Sequence, residues 1–368
     1  MALFLTFLGK GGTGRTTMAI AAAKRFACQG QRVLLAASDP SPALGLMLGA
    51  EIGSEPKEIA PNLKVLHLQM TVLLERGWEE LKKLEAQYVR TPFFKDVYGQ
   101  ELGVLPGMDS ILTINAMREY QASGEYDVII YDGEGNQTML RAIGSPEILS
   151  WYIRRFRKVF TDSELGKTLS PFVQPITSAV LNVDWSSDNF SQPLGQFNQL
   201  LDKWKETLAD PNRAVAYLVT TNNPVAVATA RYLWGSAQQV GLIVGGVILN
   251  QALATDKVSF DVTQFAPLQV TSVPFRSGDD WHSLCNALPD FSQAAQAPKP
   301  ISINVAARQV SLFLPGFDKK QIKLTQYGPE VTIEAGDQRR NIFLPPELSA
   351  APVKGAKFQN QYLIISFG

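Results

Sequence analysis

The residues best suited to chemistry lie near the N-terminus, in a stretch that runs Gly9-Lys10-Gly11-Gly12-Thr13-Gly14-Arg15-Thr16-Thr17. An apolar run, Leu3–Leu8, comes before this stretch, and a helical pattern, Met18–Phe26, follows it. A phosphate-binding loop requires this context, because glycines let backbone N–H groups approach phosphate oxygens and the helix N-terminus adds partial positive charge. The spacing places the Thr16 hydroxyl where it can be offered to Mg²⁺. We therefore expect Gly11 to Thr17 to bind a nucleotide.

Arg15 stands where this class of loop normally carries a lysine that reaches the β- and γ-phosphates. Arginine keeps the positive charge, but its planar guanidinium is bulkier than a compact ammonium group. The loop therefore supports nucleotide binding more strongly than it supports turnover.

Composition places the 368-residue chain among ordinary folded proteins, with 45% hydrophobic and 18% charged residues. Because 34 basic residues balance 34 acidic ones, no net charge favours nucleic acid or an anionic membrane as a partner. The two cysteines cannot form a disulfide framework. No apolar run reaches about 18 residues, so no integral membrane segment is expected. These features predict a protein of the cytoplasm or an equivalent stroma, with no nucleic acid expected as a main partner.

Short apolar runs alternate with helical patterns over residues 1–291. Continuous rather than alternating apolar runs are typical of parallel strands that are covered by helices on both faces. The expected strands are Leu3–Leu8, Arg32–Ser38, Leu63–Leu68, Tyr126–Tyr131, Val215–Thr220, Val244–Asn250 and Val270–Phe275. This pattern predicts an α/β domain with a doubly wound, mostly parallel sheet. Residues 146–213 lack a convincing sheet strand and show helical stripes instead, so they are predicted to form a helical insertion.

The last part of the chain has a different character. Residues 292–300, rich in alanine and proline, read as a linker. Apolar residues then alternate with polar ones over residues 301–368, with Pro-Gly and Ala-Gly-Asp turns between the runs. A period of two with such turns predicts an antiparallel β-sandwich.

Two segments resemble dimeric ATPases related to ArsA, MinD and the nitrogenase iron protein. Lys10, directly before Gly11 and Gly12, gives the loop the deviant Walker A form of that class, and Ala37-Ser38-Asp39-Pro40 is similar to the first switch of the ArsA/Get targeting ATPases. The resemblance implies a P-loop ATPase that uses ATP and Mg²⁺ and works as a homodimer. It also implies that Lys10 reaches the partner's nucleotide and that Asp39 orients the attacking water.

Later segments follow the same family in order. Tyr131-Asp132-Gly133-Glu134-Gly135 ends an apolar strand, so the resemblance makes Asp132 the Mg²⁺-side carboxylate of the second switch, although the remainder of the family's switch motif is absent. Asn250 matches the family's adenine-reading asparagine, and Pro274 and Phe275 match its adenine-side loop. The tail, residues 301–368, resembles an α-crystallin (small heat-shock) domain.

Features that are absent narrow the function within this family. Arsenite pumps bind metalloid through clustered thiols, and targeting ATPases with a zinc-clasped dimer use a C-x-x-C motif. The lone Cys28 and Cys285 supply neither, so we expect neither arsenite transport nor a bound zinc ion.

Our interpretation is an ATP-hydrolysing switch whose helical insertion captures hydrophobic protein clients through its aromatic residues. These aromatic residues are Trp151, Phe156, Phe160, Phe172, Trp185 and Phe197. The same stripes could instead pack on the sheet. The main alternative is a scaffold that binds nucleotide without hydrolysing it. A MinD-like membrane ATPase would need a basic amphipathic anchor at a terminus, whereas the sequence ends in predicted strands, so this alternative is less favoured.

Overall fold

The computed structural model describes residues 2–88, 108–145, 147–148, 151, 203–251, 260–276, 278 and 280–368. Most of the predicted helical insertion, residues 146–213, lies outside these ranges, as do five of the six aromatic residues named above as client-binding. Within the described part of the chain, no helix combines the length and the apolar character needed to cross a bilayer.

An eight-stranded sheet forms the centre of the N-terminal domain. Its strands are β1 (Leu3–Leu8), β2 (Val33–Ala37), β3 (Lys57–Ala60), β4 (Leu63–His67), β5 (Val128–Asp132), β6 (Ala214–Thr220), β7 (Val244–Leu249) and β8 (Val270–Ser272). They lie in the order β3-β4-β2-β5-β1-β6-β7-β8. Every neighbouring pair is parallel except β3 and β4. The predicted doubly wound, mostly parallel α/β fold is confirmed.

Two details of the sheet differ from the prediction. The short edge strand β3 was not expected, because it carries two charged residues and lacks the apolar run by which the other strands were identified. The last strand ends at Ser272 rather than at Phe275. Val273 still donates its N–H to the Leu249 carbonyl, but Pro274 has no N–H with which to continue the ladder.

Helices cover both faces of the sheet. They are α1 (Arg15–Cys28), α2 (Ala43–Leu48), α3 (Met70–Tyr88), α4 (Met108–Ser123), α5 (residues 137–145), α6 (residues 203–209), α7 (Pro224–Gln239) and α8 (His282–Ala287). Alternate residues of each central strand enter two separate cores, one containing α1 and the other containing α7. Burial on both faces explains why the strands read as continuous apolar runs.

The C-terminal domain is the predicted antiparallel sandwich. Its strands are β9 (Ile301–Asn304), β10 (Gln309–Phe313), β11 (Ile322–Tyr327), β12 (Glu330–Ala335), β13 (Gln338–Phe343), β14 (Val353–Gln359) and β15 (Tyr362–Phe367), with the short helix α9 (Pro346–Ser349) before β14. One sheet has the order β14-β15-β10-β9 and the other β11-β12-β13. Their inward-facing residues form one core.

The sandwich packs directly on α7. Phe313 of β10 is 1% exposed and belongs to the same core as Trp234 of α7, and the two ring centroids lie 5.5 Å apart. Gly235 allows this close approach, because a Cβ there would lie 2.3 Å from the Pro315 carbonyl oxygen. Arg340 of β13 donates to the Gln238 carbonyl at 2.9 Å. The two domains therefore share part of one hydrophobic core.

The segment treated as a linker in the sequence analysis begins inside the first domain. Residues Phe291–Gln296 form a 3₁₀ helix in which Phe291 and Ala294 are buried. The Phe291 ring packs against Phe26 at 5.4 Å and Tyr217 at 4.9 Å between centroids. This turn covers the face of the sheet that carries α1.

Candidate functional site

The glycine-rich loop lies at the middle of the sheet, where β1 ends between β5 and β6. Strands β2, β5 and β7 are oriented parallel to the β1–β6 pair, so their carboxyl ends open on the same edge. In open α/β sheets, ligands bind in the crevice outside these carboxyl ends. Residues that were far apart in the sequence therefore meet here: Asp39 follows β2, Asp132 ends β5 and Asn250 follows β7.

The backbone of the loop needs its glycines. Gly12 and Gly14 adopt left-handed conformations, with φ of 83° and 93°. At Gly9, a Cβ would lie 2.2 Å from the Val219 carbonyl oxygen. A Cβ on Gly11 or on Gly12 would meet nothing within 4 Å, so open space lies beside this part of the loop. Such a cradle fits a phosphate group.

Lys10 and Arg15, the two cations of the loop, have different surroundings. Lys10 is exposed, and its Nζ lies 3.4 Å from the Gly11 carbonyl oxygen. Arg15 is half-buried and donates from Nη1 to the Gly133 carbonyl at 3.1 Å. Burial lowers the pKa of Arg15, and the carboxylates of Asp132 and Glu134 oppose that shift. Through its hydrogen bond to the Gly133 carbonyl, Arg15 links the P-loop to the turn after β5.

Asp132 and Thr16, the two residues expected to ligate Mg²⁺, lie together. The Asp132 side chain is buried, and burial raises its pKa to about 6. A hydrogen bond with Thr16 and the charge of Arg15 act in the opposite direction, while the charge of Asp39 adds to the rise. A carboxylate paired with a hydroxyl offers the hard oxygen ligands that Mg²⁺ prefers.

Asp39 is exposed at the rim of the same crevice. Its Oδ1 accepts a hydrogen bond from the Ser41 N–H at 2.9 Å, which fixes the turn after β2. A cavity of about 1380 Å³ brings Asp39 together with Lys10, Arg15, Thr16 and Asp132. The cavity is thus lined by the two residues expected to act in catalysis, Lys10 and Asp39, and by the two expected to bind Mg²⁺, Thr16 and Asp132.

The turn that follows Asp132 has its own hydrogen bonds. Asn136 caps helix α5, because its Oδ1 accepts from the Met139 N–H at 3.1 Å. Its Nδ2 donates to the exposed Glu134 carboxylate at 2.9 Å. The Gly9 N–H donates to the Gly135 carbonyl at 3.0 Å, so the turn is also tied to the P-loop. The sequence analysis did not anticipate the cap.

Asn250 is buried against the loop, with both atoms of its amide in use. Its Nδ2 donates to the Thr13 carbonyl at 2.8 Å, and its Oδ1 accepts from the Gln251 N–H at 2.8 Å. A Cβ on Gly14 would lie 2.1 Å from the same Nδ2. The close contact shows a role in supporting the loop, which the sequence analysis did not include.

A second cavity, of about 460 Å³, opens next to Asn250. Its lining consists of Gly14, Thr17, Met47, Asn250, Gln251, Phe275, Arg276 and Gly278. The Phe275 side chain is 67% exposed at this cavity, and Pro274 is exposed beside it without lining it. Sequence reasoning did not single out Arg276, whose position directly after Pro274 and Phe275 is the only signal that could have drawn attention to it.

Comparisons with known proteins agree with this arrangement. A family model described as anion-transporting ATPase (ArsA) matches residues 2–267, and one described as an HSP20-like domain found in ArsA matches residues 306–367. A putative arsenical pump-driving ATPase of Chlorobaculum tepidum is 24% identical, covering 99% of this chain and 95% of the relative. One from Aquifex aeolicus is 21% identical, with 98% of both chains covered. A protein of Malassezia globosa named ATPase GET3 is 22% identical over 67% of this chain and 71% of its own length.

Proposed function

The chain belongs to the ArsA family of anion-transporting ATPases, and we propose that it is a nucleotide-driven switch that hydrolyses ATP as a homodimer. The observation that supports the proposal most directly is the buried Asp132 carboxylate, which bonds Thr16 beside the open cradle at Gly11 and Gly12. A buried carboxylate is unfavourable without a cationic partner. A divalent cation held by Asp132 and Thr16 would remove that penalty.

Each residue of the site has a role in the proposal. The N–H groups of Gly11 to Thr17 bind the phosphates. Thr16 and Asp132 would hold Mg²⁺, which would supply positive charge to offset that of the phosphate oxygens. Asp39 accepts a hydrogen bond from the attacking water and so aligns it for in-line attack. Asp39 is exposed and lines the cavity, so solvent water has access to it.

Lys10 acts between the two subunits. It is exposed, and the long 3.4 Å contact with the neighbouring carbonyl holds it only weakly, so the ammonium group is able to reach a second molecule. There it offsets charge on the partner's nucleotide, which links nucleotide binding to closure of the dimer. Closure would rearrange residues 146–213, the predicted helical insertion, where we propose that the aromatic residues bind hydrophobic segments of client proteins.

One observation favours a second candidate, a scaffold that binds nucleotide without hydrolysing it. Arg15 replaces the usual lysine, and its Nη1 donates to the Gly133 carbonyl. An arginine held in this way stabilises the turn after β5 and gives less help to charge that develops on the transferred phosphoryl group.

The test of the switch is the mass of the protein in solution. Sedimentation equilibrium with Mg²⁺ and a non-hydrolysable ATP analogue should show dimers of the wild type. Lys10→Ala should bind the analogue and stay monomeric, while Lys57→Ala, an exposed lysine on the edge strand β3, should dimerise normally. Dimers of Lys10→Ala that match the wild type, or a wild type that stays monomeric at saturating nucleotide, would refute the proposal.

A further inference from the structure

The turn between β12 and β13 of the sandwich is fixed to the ATPase domain. Gly336 in this turn has a φ of 59°, and a Cβ there would lie 2.7 Å from the Phe317 ring and 3.4 Å from the Tyr232 ring. Phe317 packs on α7 in turn, because a Cβ on Gly235 would lie 2.5 Å from the same ring. Contacts this close leave little room for movement, so the turn and its two strands keep their position on α7.

Residues 132–151 connect the Mg²⁺-side carboxylate of the site with the start of the predicted helical insertion, and they pass this turn. Arg141 of α5 forms an ion pair with Asp337, which directly follows Gly336. The charge of Glu147 opposes the fall in pKa that burial causes at Arg340 of β13. A cation followed by an anion on the segment therefore meets an anion followed by a cation on the sandwich. Complementary charges in this order favour one register between the two partners.

Trp151 makes a further contact with the same part of the sandwich. Its Nε1 donates to the Glu330 carboxylate of β12 at 3.0 Å. The Cζ of Arg339, on the adjacent strand β13, lies 5.1 Å from the centroid of the Trp151 ring, a distance at which a cation is attracted to an indole. Trp151 is one of the six aromatic residues expected to bind clients, and in this arrangement both its N–H and its ring contact the sandwich.

The sandwich therefore has two kinds of contact with the first domain. Its packing on α7 is close and apolar, whereas the side chains of Arg141 and Asp337 are 52% and 66% exposed. An ion pair between exposed side chains contributes little stability, so it is broken at low cost. The sandwich is fixed on α7 and holds the segment 137–151 through polar contacts that can be exchanged. We name its residues that contact this segment the clamp surface: Glu330, Asp337, Arg339 and Arg340.

We propose that the clamp surface holds the segment 137–151 in one register and thereby opposes closure of the dimer. This inference rests on the proposed function, in which closure rearranges the insertion. The contacts lie within one chain, so a rearrangement that displaces Arg141 and Trp151 has to break them. Contacts that exist in only one of two arrangements shift the equilibrium toward that arrangement. The C-terminal sandwich would thus set how readily the switch closes.

Hydrogen exchange of the full chain without nucleotide, followed by mass spectrometry, tests whether the clamp surface holds the segment. Asp337→Asn removes the ion pair at nearly constant size, and Trp151→Phe removes the Nε1–H donor. In the double variant, the amides of α5 should exchange at least about threefold faster than in the wild type. Glu55→Gln is the matched control, because Glu55 forms a similarly exposed ion pair with Arg76 of α3. The control should leave exchange in α5 unchanged.

Sedimentation equilibrium with Mg²⁺ and a non-hydrolysable ATP analogue tests the effect on closure. The double variant should have a dimer dissociation constant at least about tenfold lower than the wild type, since about threefold per subunit multiplies over two subunits. Glu55→Gln should match the wild type.

Two results would overturn the inference: unchanged exchange in α5 of the double variant, or a dimer dissociation constant that is unchanged or raised. A wild type that stays monomeric at saturating nucleotide would refute the switch itself, and with it the opposition to closure. The exchange measurement needs no nucleotide, so it would still decide whether the clamp surface holds the segment. Failure of this inference is therefore distinguishable from failure of the proposed function.

Discussion

The buried carboxylate of Asp132 lowers the stability of the metal-free protein. Burial raises its pKa from 3.8 to about 6, so the folded protein takes up this proton more readily than the unfolded chain does. When both states are protonated, below about pH 3, the penalty is absent. It grows as the pH rises from about 3 to 6, and it is complete above about pH 7.

Asp132→Asn removes the ionisation and with it the pH-dependent penalty. The unfolding free energy of the variant minus that of the wild type should rise by about 2.5 kcal/mol between pH 4 and pH 8, since each pKa unit corresponds to about 1.4 kcal/mol and part of the penalty is already present at pH 4. Urea denaturation in EDTA measures this difference. Asp127→Asn is the control, because Arg32 lowers the pKa of Asp127 to about 2, so this carboxylate titrates below the interval. A difference for Asp132→Asn that stays constant from pH 4 to pH 8 would contradict the account.

Hydrogen bonds connect the loop after β1 to the loop after β5, so we treat the two loops as one element. The Gly9 N–H donates to the Gly135 carbonyl, and Arg15 donates to the Gly133 carbonyl at 3.1 Å. Helix α5 begins directly after this turn, and its Arg141 forms an ion pair with Asp337 of the C-terminal sandwich. A change in the turn would therefore reach both the P-loop and the second domain.

Gly135→Ala tests how tightly this element is built. Gly135 has a φ of 58°, and a Cβ there would lie 2.1 Å from Nη1 of Arg15 and 2.6 Å from the Phe7 carbonyl oxygen. We expect the substitution to lower the unfolding free energy by about 3 kcal/mol, from backbone strain together with the contact. Gly124→Ala has a similar φ of 73° with nothing within 4 Å, so it should cost about 1–2 kcal/mol for strain alone. Chemical denaturation compares the two variants, and equal losses would contradict the predicted contact.

Sequence reasoning predicted the elements better than their contacts. Continuous apolar runs identified seven of the strands because both faces of the sheet are buried, whereas β3, with two charged residues in four, gave no such signal. The order of the motifs along the chain correctly predicted that Thr16, Asp39 and Asp132 lie in one site. The bonds of Arg15 with Gly133 and of Asn250 with Thr13 join residues more than a hundred positions apart, and no local pattern encodes such pairs.

At the scale of the whole molecule, the two domains share buried side chains. Phe313 belongs to the core of the sheet domain although it lies on a strand of the sandwich, and Tyr362 packs against it at 4.8 Å between centroids. Sequence reasoning separated the domains by a linker, since composition changes at residue 292. It could not predict that the sandwich packs on α7, because that contact depends on the two surfaces fitting together.

Phe313→Ala should therefore weaken the entire chain. We expect one cooperative thermal transition for the wild type, and the variant should lose about 3–5 kcal/mol of unfolding free energy, as is usual when a buried phenylalanine is truncated. Calorimetry measures both. Ile303→Ala, on the neighbouring strand and 41% exposed, should leave the transition unchanged. Two separate transitions in the wild type, with the variant affecting one of them alone, would show that the domains unfold independently.

The central claim is that the P-loop site hydrolyses ATP with Asp39 aligning the water. The most direct measurement is steady-state ATP hydrolysis by the wild type and Asp39→Asn, with the ATP affinity of both determined in parallel. The account predicts turnover by the wild type and a loss of at least about 100-fold in Asp39→Asn, with affinity retained within about twofold. A wild type that binds ATP without hydrolysing it would contradict the claim and favour the nucleotide-binding scaffold.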